Sequence, residues 1–191
     1  MTARKRRASL GRGHGAARPC MSFRLKERAA RSSGTEVPDS PRFPILAKLL
    51  DARERLSLQV HPSAQIAPSL GGEPKSELWY FAAADDGAEI FAGVASGVQP
   101  AQFEQAIDDG RREPNWCRGC AVKSGDSFFV PGGRVHAIGG GNLLVEIQEN
   151  SDTTYRVFDW GRADDEGRPR ALHRAESMRA IDFGDYGTST R

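Results

Sequence analysis

The sequence predicts a mainly β domain, a sandwich or barrel of many short strands interrupted by a few short helices. Three observations carry that expectation. Short apolar runs recur from Leu56 to Trp160. Glycine, proline, aspartate and asparagine turns separate them, among them Asp85-Asp86-Gly87, Ser124-Gly125-Asp126 and Gly139-Gly140-Gly141. Only brief stretches carry a helical period, and strands at this density close into sandwiches or barrels.

In chain order, residues 43–50 form an apolar run with Pro44 suited to a first helical turn, so a short helix is expected there. Strands are expected over residues 56–61, 77–83, 88–93, 121–123, 127–131, 135–138, 143–149 and 154–160. Within 100–109, Phe103, Ala106 and Ile107 recur at helical spacing behind Pro100, which predicts a helix. Residues 171–183 are expected to form a short helix leading into a last apolar segment.

At 191 residues the chain is long enough for one domain with a real core. Hydrophobic residues make up 38% and mean hydropathy is −0.54, as for a soluble globular protein. No apolar run approaches the roughly 18 residues needed to cross a bilayer, so no membrane span is expected.

The net charge of +2 hides an asymmetry. Residues 1–33 carry ten Lys or Arg against one acid, Glu27, which leaves the remainder at −7. Residues 1–40 are expected to form a disordered basic tail and residues 41–191 the folded domain. A nucleic-acid arm and a transit peptide are weighed for the tail. A solvated extension, or an over-long start with Met21 as initiator, is preferred, and no nucleic-acid partner is expected. The three cysteines are Cys20, Cys117 and Cys120, an odd number that points to a reducing compartment. Cys117-x-x-Cys120 lacks the second pair of a zinc ribbon, and two ordinary thiols are expected.

The chemistry concentrates in four residues. Gln59 and His61 stand two apart on one expected strand, so both side chains leave the same face. Glu77 opens the next strand. Gly125, Pro131, Gly133 and His136 stand at G-x5-P-x-G-x2-H spacing, the second metal-binding motif of the cupin barrels, although Gly140 stands where Asn is common. Two imidazoles, a carboxylate and an amide oxygen suit Zn²⁺, Fe²⁺, Mn²⁺ or Ni²⁺. Ten residues past Glu146, across an Asn150-Ser151-Asp152 turn, stands Arg156, either a site pair or an ordinary cross-strand ion pair.

Four ordered blocks carry a family resemblance. Phe43-Pro44-Ile45-Leu46-Ala47-Lys48 followed by Leu56-Ser57-Leu58-Gln59-Val60-His61-Pro62 resembles the FPLL-K…LSxQVHP signature of type I mannose-6-phosphate isomerases in their short bacterial form. Lys75-Ser76-Glu77-Leu78-Trp79-Tyr80 is similar to that family's K-x-E-x-W-Y, and the segments 125–136 and 146–156 are similar to its remaining blocks.

The resemblance implies a cupin-like jelly-roll barrel and one zinc ion per chain, held by Gln59, His61, Glu77 and His136. It implies Arg156, Lys75 and Glu146 as catalytic residues, and Ser57, Lys75 and Arg156 as substrate contacts. The implied reaction interconverts mannose 6-phosphate and fructose 6-phosphate through an enediolate, in the cytoplasm. The general base is left open, and so is the choice of Lys75 or Arg156 as phosphate anchor.

Residues 1–40 resemble nothing that precedes the first block in the family, and the chain stops where the family continues into a second β-domain. A chain truncated at both ends is therefore expected, with unpaired strands that favour self-association. A metal-containing cupin that binds a sugar phosphate without turnover, or an inactive truncated homologue, is the alternative. An Fe²⁺ dioxygenase explains the ligands but gives Lys75 and Arg156 no role.

Overall fold

The computed structural model describes residues 42–110, 115–163 and 166–186. Nine strands follow one another as β1 (Ile45–Ala52), β2 (Leu58–Val60), β3 (Glu77–Ala84), β4 (Glu89–Val94), β5 (Cys117–Ala121), β6 (Ser127–Val130), β7 (His136–Ile138), β8 (Asn142–Glu149) and β9 (Tyr155–Phe158). Helix α1 (Pro100–Asp108) lies between β4 and β5, and helix α2 (Arg174–Ala180) follows β9. The basic tail expected over 1–40 lies outside the described residues.

The strands form two antiparallel sheets, one ordered β1-β8-β3-β6 and the other β5-β4-β7-β2-β9. Leu50, Trp79, Phe81, Phe128 and Leu144 of the four-stranded sheet pack against Ile90, Ala92 and Ile138 of the five-stranded one. The other face of the five-stranded sheet, with Leu58, Val60, Phe91, Ala137 and Val157, packs on Phe103 and Ile107 of α1 and Ala180 of α2. Sheet, sheet and helix thus form three layers around two apolar seams, a stable way to bury the apolar stripe of each element.

Helix α1 begins as its sequence dictates. Pro100 occupies the first turn, and the Gln99 and Gln102 side chains each bond the other's backbone N–H, satisfying donors that a helix start leaves open. Strands β3, β4, β6, β7, β8 and β9 lie where the alternating apolar runs put them, within a few residues.

Two elements depart from expectation. The run at 43–50 forms no helix; strand β1 (Ile45–Ala52) takes its place, paired along its whole length with β8 from Ile45↔Glu149 to Ala52↔Asn142. Eight paired residues outweigh a short helix, because isolated helices of that length are marginal. The fifth strand is Cys117–Ala121 rather than 121–123. Cys117 is buried with its thiol pushed up by burial, and both strand cysteines are free thiols.

The expected hairpin joining Glu146 to Arg156 is also absent. Strand β8 belongs to the four-stranded sheet and β9 to the five-stranded one, so the two residues cannot be cross-strand partners. The Asn150-Ser151-Asp152 segment is a crossover between layers. Asn150 donates to the Phe43 carbonyl, and the Gln148 amide donates to the Ser151 carbonyl.

Candidate metal centre

A cleft of about 180 Å³ opens between the sheets, lined by Lys48, Glu77, Trp79 and Glu146 from one side and by Gln59, His61 and His136 from the other. The strand period of two explains the selection. Glu77 and Trp79 point inward while Leu78 and Tyr80 point outward, and Gln59 points between the sheets while Leu58 and Val60 face the helices.

The two histidines meet because their loops are stitched together. The Gly133 N–H donates to the His61 carbonyl at 2.7 Å. Gly133 sits at φ +97°, a conformation open mainly to glycine, and a Cβ on Gly132 would lie 2.7 Å from the Pro62 carbonyl oxygen. The glycines of the motif thus let its loop lie against the end of β2, where His61 follows.

Each imidazole is oriented by its far nitrogen. Nδ1 of His61 lies 3.1 Å from the Thr153 carbonyl and Nδ1 of His136 lies 2.9 Å from the Arg134 carbonyl. A carbonyl only accepts, so each Nδ1 carries the proton and each Nε2 presents its lone pair. Both lone pairs aim at Glu77, at 3.0 Å from His61 and 3.9 Å from His136. The ligand atoms of His61, Glu77 and His136 all lie within 4.8 Å of one another, and all three residues are buried. Backbone carbonyls behind ligating histidines recur in metal sites because they fix tautomer and aim.

Gln59 completes the expected set on the same wall, directly paired with His136. Its amide nitrogen donates to the Ser57 hydroxyl at 3.1 Å, which leaves the carbonyl oxygen for the cleft.

The electrostatics agree with a cation site. Burial pushes His61 down to about 4 against the opposing pull of Glu77, and burial likewise lowers His136. Both rings are neutral and able to coordinate near pH 7. Burial works to raise the Glu77 carboxyl, but its neighbours, His61 first and then His136 and the Lys75 ammonium, outweigh it and hold the carboxyl well below its usual range. The set fits a divalent ion: two neutral imidazole nitrogens, an ionised carboxylate and an amide oxygen.

Lys75 and Glu146 stand beside this trio. Lys75 Nζ lies 3.1 Å from Glu77 Oε1 and 3.5 Å from the Thr154 hydroxyl, with its side chain 6% exposed. Glu146 accepts from Lys48 Nζ at 2.7 Å, and burial, then the charge of Glu77, raises its carboxyl above the usual range. Breaking a buried pair such as Lys75–Glu77 costs about 3–5 kcal/mol, whereas packed apolar residues in its place are often neutral or stabilising. Stability alone therefore does not account for so many ionisable groups in one cleft.

Two residues stand differently from their sequence reading. Lys48 lines the cleft and also bonds the Gln148 amide oxygen, yet sequence reasoning gave it no role. Its inward direction follows from the strand register of β1, which a helix assignment conceals. Arg156 is not among the side chains lining the cleft. It pairs with Gln59 across β2 and β9 and so leaves the same sheet face, but its Nη1 donates to the Ala171 carbonyl at 2.9 Å. Its Nε is buried with no hydrogen-bond partner among the described residues.

With this geometry the chain finds its relatives. It is 44% identical over 149 residues to the mannose-6-phosphate isomerase of Streptococcus mutans, covering 78% of this chain and 46% of that protein. The crystal structure of the mannose 6-phosphate isomerase from Bacillus subtilis superposes with a TM-score of 0.69 at 38% identity, covering 75% of this chain and 46% of that one. A zinc-bound mannose 6-phosphate isomerase, at 14% identity and a TM-score of 0.51, shares the fold over 81% of this chain. No family model matches the chain. The chain is thus similar in sequence and cupin-type fold to mannose-6-phosphate isomerases, and it spans about half the length of the curated relatives it matches.

Proposed function

We propose that the cleft is the active site of a metal-dependent aldose–ketose isomerase interconverting mannose 6-phosphate and fructose 6-phosphate, acting in the cytoplasm with one zinc ion per chain. The observation that supports it most is the convergence of His61, Glu77 and His136 beside two further ionisable groups, in a chain 44% identical to a protein of that activity. A zinc-bound relative of the same fold supports the choice of metal.

His61, Glu77, His136 and Gln59 would hold the ion, which supplies Lewis-acid stabilisation of charge developing on the sugar's oxygens. The isomerisation moves a proton between adjacent carbons by way of an enediolate. Glu146 and Lys75 are the residues assigned to carry that proton: one is a carboxyl whose affinity for protons is raised, the other a buried ammonium. Ser57 and Lys75 present a hydroxyl and an ammonium to the substrate, and Lys75 serves an anionic oxygen as a point charge. Arg156 acts from the Gln59 edge of the same face. Its guanidinium, released from the Ala171 carbonyl, would orient and stabilise anionic oxygens.

A coupled assay on the full chain, with mannose 6-phosphate and with or without added Zn²⁺, tests the proposal. Zinc-dependent turnover that a chelator abolishes is the expected result. Stoichiometric metal without turnover would instead favour a sugar-phosphate-binding cupin, the reading to which the Arg156 guanidinium, held by the Ala171 carbonyl, lends support.

A further inference from the structure

The outer face of the four-stranded sheet inverts the usual rule for a half-covered antiparallel sheet, which is apolar toward the core and polar toward water. Register places Ala47, Ile147, Leu78 and Phe129 in one row across all four strands, and Leu49, Val145, Tyr80 and Ser127 in the next. Neither row contains a charge. Five of these side chains, Leu49, Leu78, Tyr80, Phe129 and Ile147, are between 40% and 57% exposed, and Ile45 adds another at 48%. Charges stand at the rim, with Glu149 opposite Ile45 and Asp51 opposite Leu143.

Six large apolar side chains exposed to this extent amount to something on the order of 500 Å² of apolar surface. A patch of that size sits at the upper end of what monomers leave open, and scattered apolar residues do not line up in rows. A standard interface buries about 800 Å² on each partner, and this patch alone supplies the greater part of that.

We propose that this face is the interface of a homodimer, in which the four-stranded sheets of two copies pack face to face. Sheets stack at about 10 Å with strands within about 30° of one another, a geometry open to two copies of one twisted sheet. A two-fold axis would set each apolar row against its own copy, so the patch needs only to complement itself. The charge-free centre and charged rim match the anatomy of such interfaces. The cleft lies on the opposite face of the same sheet, so it stays open in this dimer.

The test is sedimentation equilibrium of the full 191-residue chain across roughly 1–100 μM, against a variant with Leu78→Glu and Phe129→Glu. The expected result is a dimer whose dissociation constant weakens at least about 100-fold in the variant, since two buried charges per copy would oppose pairing. A milder pair, Leu78→Ser and Phe129→Thr, and near-ultraviolet circular dichroism guard against a folding defect. With fold intact, a parent chain that sediments as a monomer throughout overturns the proposal. So does a dimer unmoved by both variants. A monomer with the patch shielded from an apolar dye would assign the face to another part of this chain, and that also overturns it.

Discussion

The two sheets contain similar strands but meet different surroundings. The five-stranded sheet is covered on both faces, by the other sheet and by the helices, and apolar residues such as Phe91, Val60 and Ile90 dominate both sides. Among the described residues the four-stranded sheet is covered on one face only, yet its exposed face is the apolar one. Its covered face carries Lys48, Glu77 and Glu146 at the cleft, with the buried Gln148 bonded to Lys48. Where a sheet follows the burial rule, its residues read as stability. Where it breaks the rule on both faces, as here, the buried polar side reads as chemistry and the bare apolar side as assembly.

The largest effects are expected on the inward side. His136→Ala removes one of two imidazoles, and zinc content measured by inductively coupled plasma spectrometry should fall to background with turnover. Glu146→Gln keeps the shape but neither accepts nor gives a proton, so turnover should drop about 10²–10⁴-fold with zinc retained; unchanged turnover would remove Glu146 from the mechanism. Arg156→Ala should likewise retain zinc while losing turnover by about 10²-fold or more. Full activity there would mean the guanidinium does no more than hold the Ala171 carbonyl, as it does in the structure.

Smaller effects belong to the structural charges. Burial acts to raise the Asp159 carboxyl, but hydrogen bonds from Arg170 and Arg162 outweigh it, so its folded pKa lies below the usual value. Its stabilisation is therefore present above the unfolded pKa of about 4 and lost as pH falls through the folded value. Thermal melts of parent and Asp159→Asn should differ at pH 7 and draw together as the pH falls below the unfolded value. A constant gap would contradict this. Arg42–Glu73, with both side chains about half exposed, should contribute no more than about 1 kcal/mol, and Glu73→Gln should barely move the melt.

Much of this was legible in sequence because strand period and motif spacing both report the inward face. The G-x5-P-x-G-x2-H spacing and Gln59-x-His61 put three of the four expected ligands on one wall, and Glu77 followed from its place at a strand start. Strand β1 was not legible. Ile45, Ala47 and Leu49 face outward and Leu46 and Leu50 inward, so apolar residues on both faces erase the period of two and imitate a helix. Losing that strand also hid Lys48. The Glu146–Arg156 hairpin failed for another reason: a turn in sequence does not say whether the chain re-enters the same sheet or crosses to the next.

The central claim is that the inward polar face is a metal centre, and the most direct measurement is zinc stoichiometry with X-ray absorption on the full chain. The account predicts one zinc per chain, with imidazole nitrogens at about 2.0–2.1 Å, lost in a variant lacking both His61 and His136. Zinc absent from the parent, or bound equally well without the two histidines, would contradict it.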